Sequence, residues 1–114
     1  MKLMTKEIER KLPKLYSTEK QNVVPVVVKF FDPTGSWTWY VVEGEKREDG
    51  DWVFFGLVDG FEKELGYFTL NELLHAKKDM RGLRSLPVER DLWFDGYVLD
   101  KENNSVFKPQ AVTK

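Results

Sequence analysis

The chain offers little raw material for covalent chemistry. It contains no cysteine and a single histidine, His75. Disulfides, thiolate metal sites and cysteine nucleophiles are thereby removed together. With no second histidine and no Gly-x-Ser-x-Gly turn, no nucleophile can be paired with a base. His75 falls in the last turn of an expected helix, where an imidazole complements the helix dipole at the surface. Asp49-Gly50-Asp51 has the start of a calcium loop. The later oxygen ligands and the closing Glu at the EF-hand interval are missing, so no metal site is assigned. The one Glu-x-Lys, Glu9-Arg10-Lys11, lies on an expected helix and not on the strand end that carboxylate nucleases use. Val88-Glu89-Arg90-Asp91 reads as an ion-pair cluster fixing a turn; Glu89, Asp91 and the acids of 43–51 are the candidates for a carboxylate-dependent hydrolase. No glycine-rich phosphate loop occurs. The residues therefore assign no catalytic group, metal or cofactor, and they favour a binding role over an enzymatic one.

Binding chemistry is better represented. Aromatic residues are 14% of the chain, including 4 Trp, 4 Tyr and 8 Phe. Such side chains form either a dense core or a contact surface. Charge is segregated, although the net formal charge is only −1. Residues 1–20 carry six positive and three negative groups, residues 43–64 three and eight, and residues 75–90 five and two. The acidic block suits a basic groove on another protein, or simply keeps a hairpin tip solvated. Lys77, Lys78, Arg81 and Arg84 surround a glycine and could grip phosphates, or cap a helix C-terminus.

These residues must be positioned by one domain, since the chain has 114 residues. Thr5 caps a short helix that Pro13 ends. Val23–Phe31 reads as a strand, with Pro25 at its start or on a sheet edge. Trp37–Glu43 and Trp52–Val58 follow, joined by turns that include Asp49-Gly50. Three such strands predict an antiparallel meander. Thr69-x-x-Glu72 then opens a second helix over 70–77. The segment Leu86–Leu99 is expected to be extended, and 100–114 a polar, loosely ordered tail behind a domain of residues 1–99. The fold class is α+β, with the meander flanked by two helices and a C-terminal extended segment.

Alternation along the strands does not separate inside from outside. Trp37, Trp39 and Val41 point one way, and Thr38, Tyr40 and Val42 the other. Trp52 and Phe54 oppose Val53 and Phe55 in the same fashion. Both faces are apolar, whereas a half-solvated antiparallel sheet alternates with polar residues. Two readings stay open. In one, the helix at 70–77 covers one face, and the N-terminal helix with the C-terminal segment covers the other. In the second, a patch built from Trp37, Trp39, Tyr40 and Trp52, beside Glu43, Glu45, Asp49 and Asp51, is left for a protein partner. A nucleic-acid module, stacking bases on the aromatics and holding phosphates with Lys77, Lys78, Arg81 and Arg84, is the alternative.

No stretch approaches the about 18 apolar residues of a membrane span. The first twenty residues carry Glu7, Glu9 and Glu19 and no apolar leader segment, so a cytoplasmic location is expected.

Taken together, Lys11–Glu19 (KLPKLYSTE), Val28–Phe31 (VKFF), Trp37–Tyr40 (WTWY), Glu43–Glu45 (EGE), Phe54–Gly56 (FFG), Glu64–Phe68 (ELGYF) and Leu86–Asp91 (LPVERD) resemble a bacterial family of small proteins classed as a domain of unknown function. The resemblance covers roughly residues 3–94. It implies no catalytic residue, substrate or cofactor. What it implies is context: accessory proteins of plasmids, conjugative elements and phages, encoded near restriction-evasion, transfer or replication functions.

Overall fold

A computed structural model describes residues 2–33, 35, 37–75 and 87–110. Helix α1 (Lys6–Lys11) is followed by strands β1 (Val23–Pro25), β2 (Val28–Phe31), β3 (Thr38–Lys46), β4 (Trp52–Asp59) and β5 (Lys63–Thr69). Helix α2 (Leu70–Leu74) and strands β6 (Glu89–Arg90), β7 (Val98–Asp100) and β8 (Ser105–Phe107) complete the described elements. The strands form two antiparallel sheets, β5-β4-β3-β2-β6 and β1-β7-β8. The fold is α+β, and an antiparallel meander is its centre.

Both helix starts follow from their caps. The Thr5 hydroxyl accepts from the Ile8 amide at 3.2 Å, and the Thr69 hydroxyl from the Glu72 amide at 3.1 Å. Of the helix expected over 70–77, Leu70–Leu74 is described; the remainder lies beyond His75, outside the described residues apart from that residue itself.

Each face of the large sheet has its own core. On one face Val28, Phe30, Val41, Trp52, Phe54 and Phe68 meet Leu3, Met4 and Leu12 from the N-terminal segment and Leu73 from α2. On the other face Val42 and Leu57 meet Val24, Val26 and Leu99. Both helices thus cover the same face, and the small sheet covers the second. The expectation that the N-terminal helix shares a face with the whole C-terminal segment is corrected here: Val88 joins the helix-covered core, while Phe94, Tyr97 and Leu99 pack on the other face. Leu3, Met4 and Leu12 fill the side on which Val28 and Phe30 point.

Three further differences have local causes. Val23–Phe31 is not one strand, because it changes sheets at Val26-Val27: the Val26 amide donates to Tyr97 O at 2.9 Å and the Val27 amide to Val41 O at 2.8 Å. Pro25 accordingly sits on β1, an edge strand that can lack a donor. Strand β5 falls in a stretch given no element from sequence, since Glu62, Lys63, Glu64 and Gly66 are poor strand formers; pairing along β4 from Asp59↔Lys63 to Val53↔Thr69 overrides that weak propensity. Finally, residues 101–107 are not a loose tail. Asp100 accepts from Asn22 and Asn103 side chains at 2.9 and 2.7 Å, and the turn returns the chain as β8 along β7.

One irregularity re-aims a side chain. The β3–β4 register shifts between Val41 and Glu43, a β-bulge at Val42. The bulge places Val42 and Glu43 toward the small sheet, and Gly44 toward Leu12 and Phe54. Gly56 faces the bulge, where a Cβ would lie 1.7 Å from Tyr40 O. Only glycine fits such an approach.

Candidate docking surface

The candidate surface is built at the end of the β3–β4 hairpin where β3 begins and β4 ends. Trp39 points to the helix-covered face and packs on the edge of that core. Trp37, two residues earlier, lies beside it with ring centroids 6.1 Å apart. Across the pair Thr38↔Asp59 the chain leaves β4 through Gly60, over which the Trp37 ring lies. A Cβ at Gly60 would meet that ring at 2.4 Å, so the indole packs flat only because the residue is glycine. Phe61 then sets its edge against Trp37 at 5.3 Å and 80° while remaining 84% exposed. Three aromatic rings thus form one row that runs from the core to solvent. The exposed Glu62 follows Phe61, and the exposed Glu64, paired with Val58, stands on the Trp39 side of the sheet, whereas Asp59, paired with Thr38, stands on the Tyr40 side. The sequence signal for Phe61 is an aromatic set between Gly60 and the charged run Glu62-Lys63-Glu64.

The other predicted surface residues scatter. Trp52 is in the core, 8% exposed and stacked on Phe54 at 6.3 Å, so it is no surface anchor. Tyr40 points to the opposite face from Trp39, half-buried against Phe94 at 6.0 Å. Burial, with Asp59, Tyr97 and Asp91 nearby, raises its phenol above the ordinary tyrosine value. Glu45 is exposed. Asp49 and Asp51 lie at the far hairpin turn and serve the backbone: Asp49 Oδ1 accepts from the Asp51 amide at 2.9 Å, and Asp51 Oδ1 from Trp52 and Asn71 amides at 2.8 and 3.0 Å. Strand β3 is nine residues long, and at about 3.3 Å per residue its ends are ~27 Å apart. The acidic turn and the tryptophan pair therefore do not make one patch.

Glu43 is the largest departure. It is a buried carboxylate, 2% exposed. The Tyr16 amide donates to Oε1 at 2.8 Å, and the Thr18 amide to Oε2 at 2.9 Å, with the Thr18 hydroxyl on the same oxygen. Lys101 Nζ closes the arrangement on Thr18 O at 2.6 Å. This carboxylate holds the loop after α1 against the sheet, and Tyr16 takes a left-handed φ of 71° within it. Its role is structural, because both oxygens are committed to amide donors and shielded from any partner.

Among the described residues no three His, Asp or Glu side chains converge as a metal site would require. His75 is exposed, with Nδ1 2.8 Å from Asn71 O. Lys77, Lys78, Arg81 and Arg84 lie outside the described residues. No helix among the described residues is long and apolar enough to cross a membrane.

Residues 3–101 match the family model described as protein of unknown function, DUF2958. The chain belongs to the DUF2958 family. The match spans the large sheet and β1 and β7 of the small one, so the buried residues of both cores of this DUF2958 chain fall within the family domain. Neither a curated protein nor a solved structure matches it.

Proposed function

We propose that this DUF2958 chain is a small, non-enzymatic cytoplasmic binding protein that docks Trp37, Trp39 and Phe61 on a protein partner. The observation that carries the reading is Phe61, held 84% exposed on the edge of Trp37. An exposed aromatic on a rigid aromatic base gives up large apolar area to a partner with little conformational entropy to lose. Glu62 and Glu64 favour a partner whose pocket is rimmed by basic groups. The same acids disfavour a phosphate backbone at this surface, which counts against nucleic acid here. The resemblance noted above supplies the biological setting, an accessory protein of mobile genetic elements acting on a host defence or DNA-processing protein.

Affinity capture with four baits tests the reading. Wild type and a Glu45→Ala/Asp49→Ala variant should retain the same partner. Trp37→Ala and Phe61→Ala should each lose it, with circular dichroism unchanged. Retention by both aromatic variants would refute the docking role.

A further inference from the structure

A second feature, on the other face of the sheet and independent of Phe61, carries its own reading. After β6 the chain turns at Leu92 and Trp93, which are 60% and 92% exposed. Trp93 is the most exposed indole, yet its backbone is fixed: its amide donates to Asp91 Oδ1 at 2.9 Å, and the Asp91 amide donates to Lys29 O at 3.0 Å. Beside it runs a shallow groove of about 310 Å³, lined by Lys29, Phe31, Glu89, Arg90, Asp91 and Trp93 among others. The register decides its charge. Glu89 pairs with Phe31 and Arg90 with Phe30, so Glu89 shares the groove face while Arg90 Nη1 reaches Leu3 O at 3.4 Å. Lys29 is matched by Asp91 at 3.6 Å. Glu89 has no ion pair among the described residues, and Asp95 is exposed beyond the turn. The groove thus joins a carboxylate outside any ion pair among the described residues to one bare indole.

We infer that this groove binds an arginine side chain of a partner protein, with Glu89 on the guanidinium and Trp93 on its flat face. A guanidinium is the group that satisfies both at once. It is planar, forks onto a carboxylate and stacks on an aromatic ring, which an ammonium does less well. Phe31 receives the aliphatic stem.

The test is an NMR titration of the full chain with the capped tripeptide Ac-Ala-Arg-Ala-NH2 and its citrulline analogue, followed at the Trp93 indole N–H. The arginine peptide should shift that signal with a Kd at least tenfold below that of the citrulline peptide. Glu89→Gln should erase the difference, and Phe61→Ala should leave it intact, which separates this site from the docking row. Equal affinity for the two peptides would overturn the inference. So would the absence of any shift, or a stronger response of the same indole to a thymidine oligonucleotide.

Discussion

At one end of the β3–β4 hairpin, Trp52 is sealed on Phe54 and the acidic turn folds back on its own amides. At the other end, Trp37 lies over Gly60 and carries Phe61 out into solvent. Both ends are rich in aromatics and acids, and composition does not tell them apart. The difference is what covers them. Helix α2 starts beside the acidic turn, where the Asn71 amide reaches Asp51 and Leu73 enters the core. At the Trp37 end, Trp39 packs on the edge of the helix-covered core, and Trp37 packs on Gly60 and Phe61. Surplus aromatic surface on a sheet is therefore a question of ends as well as of faces.

The largest effect that sharpens this contrast is on stability. Trp52→Ala should lower unfolding free energy by about 3–5 kcal/mol, whereas Phe61→Ala should stay within ~0.5 kcal/mol, both read by urea denaturation. Equal losses would erase the distinction between the ends. Next, Glu43→Gln removes the charge from a carboxylate that three donors share between the two ends. It should cost about 2–3 kcal/mol and leave docking through Phe61 untouched in the refolded protein. Asp51→Ala should cost about 1–2 kcal/mol through two orphaned amides, again with partner capture retained. A Gly60→Ala variant should displace the Trp37 ring at a stability cost of ~1 kcal/mol, seen as a shift in tryptophan emission and a weakened partner interaction.

The smallest effect is at high pH, behind the open end. The Tyr40 phenol is raised in the folded protein by burial and by Asp59. Its contribution to stability is then full below the ordinary tyrosine value, near pH 10, and is lost as pH rises through the higher folded value. Tyr40→Phe should flatten the alkaline limb of the stability profile. An unchanged limb would mean that Tyr40 is as hydrated as a free tyrosine.

Much of the fold was legible in local chemistry. Thr5, Pro13, Thr69 and Asp49-Gly50 marked helix ends and the hairpin turn, and apolar residues on both faces left a two-sided core as one of two readings. What was hidden depended on distant partners. A single valine at the bulge decides that Glu43 points inward to Tyr16 and Thr18, so an acidic residue in an acidic block becomes the most buried charge among the described residues. Lys63 to Thr69 pairs as a strand only because β4 offers a full edge. The aromatic site was half legible: Trp37 and Trp39 share a side by alternation, but Trp52 and Asp49 belong to the other end, and Phe61 joins the row only through the turn at Gly60.

The central claim is that the Trp37 end, and not the acidic turn, meets a partner. The most direct measurement places a photo-crosslinking phenylalanine analogue at position 61 or at position 49 and irradiates the protein in the cell extract that contains the partner. The account expects a discrete protein adduct from position 61 and none from position 49. An adduct from position 49 alone would contradict it.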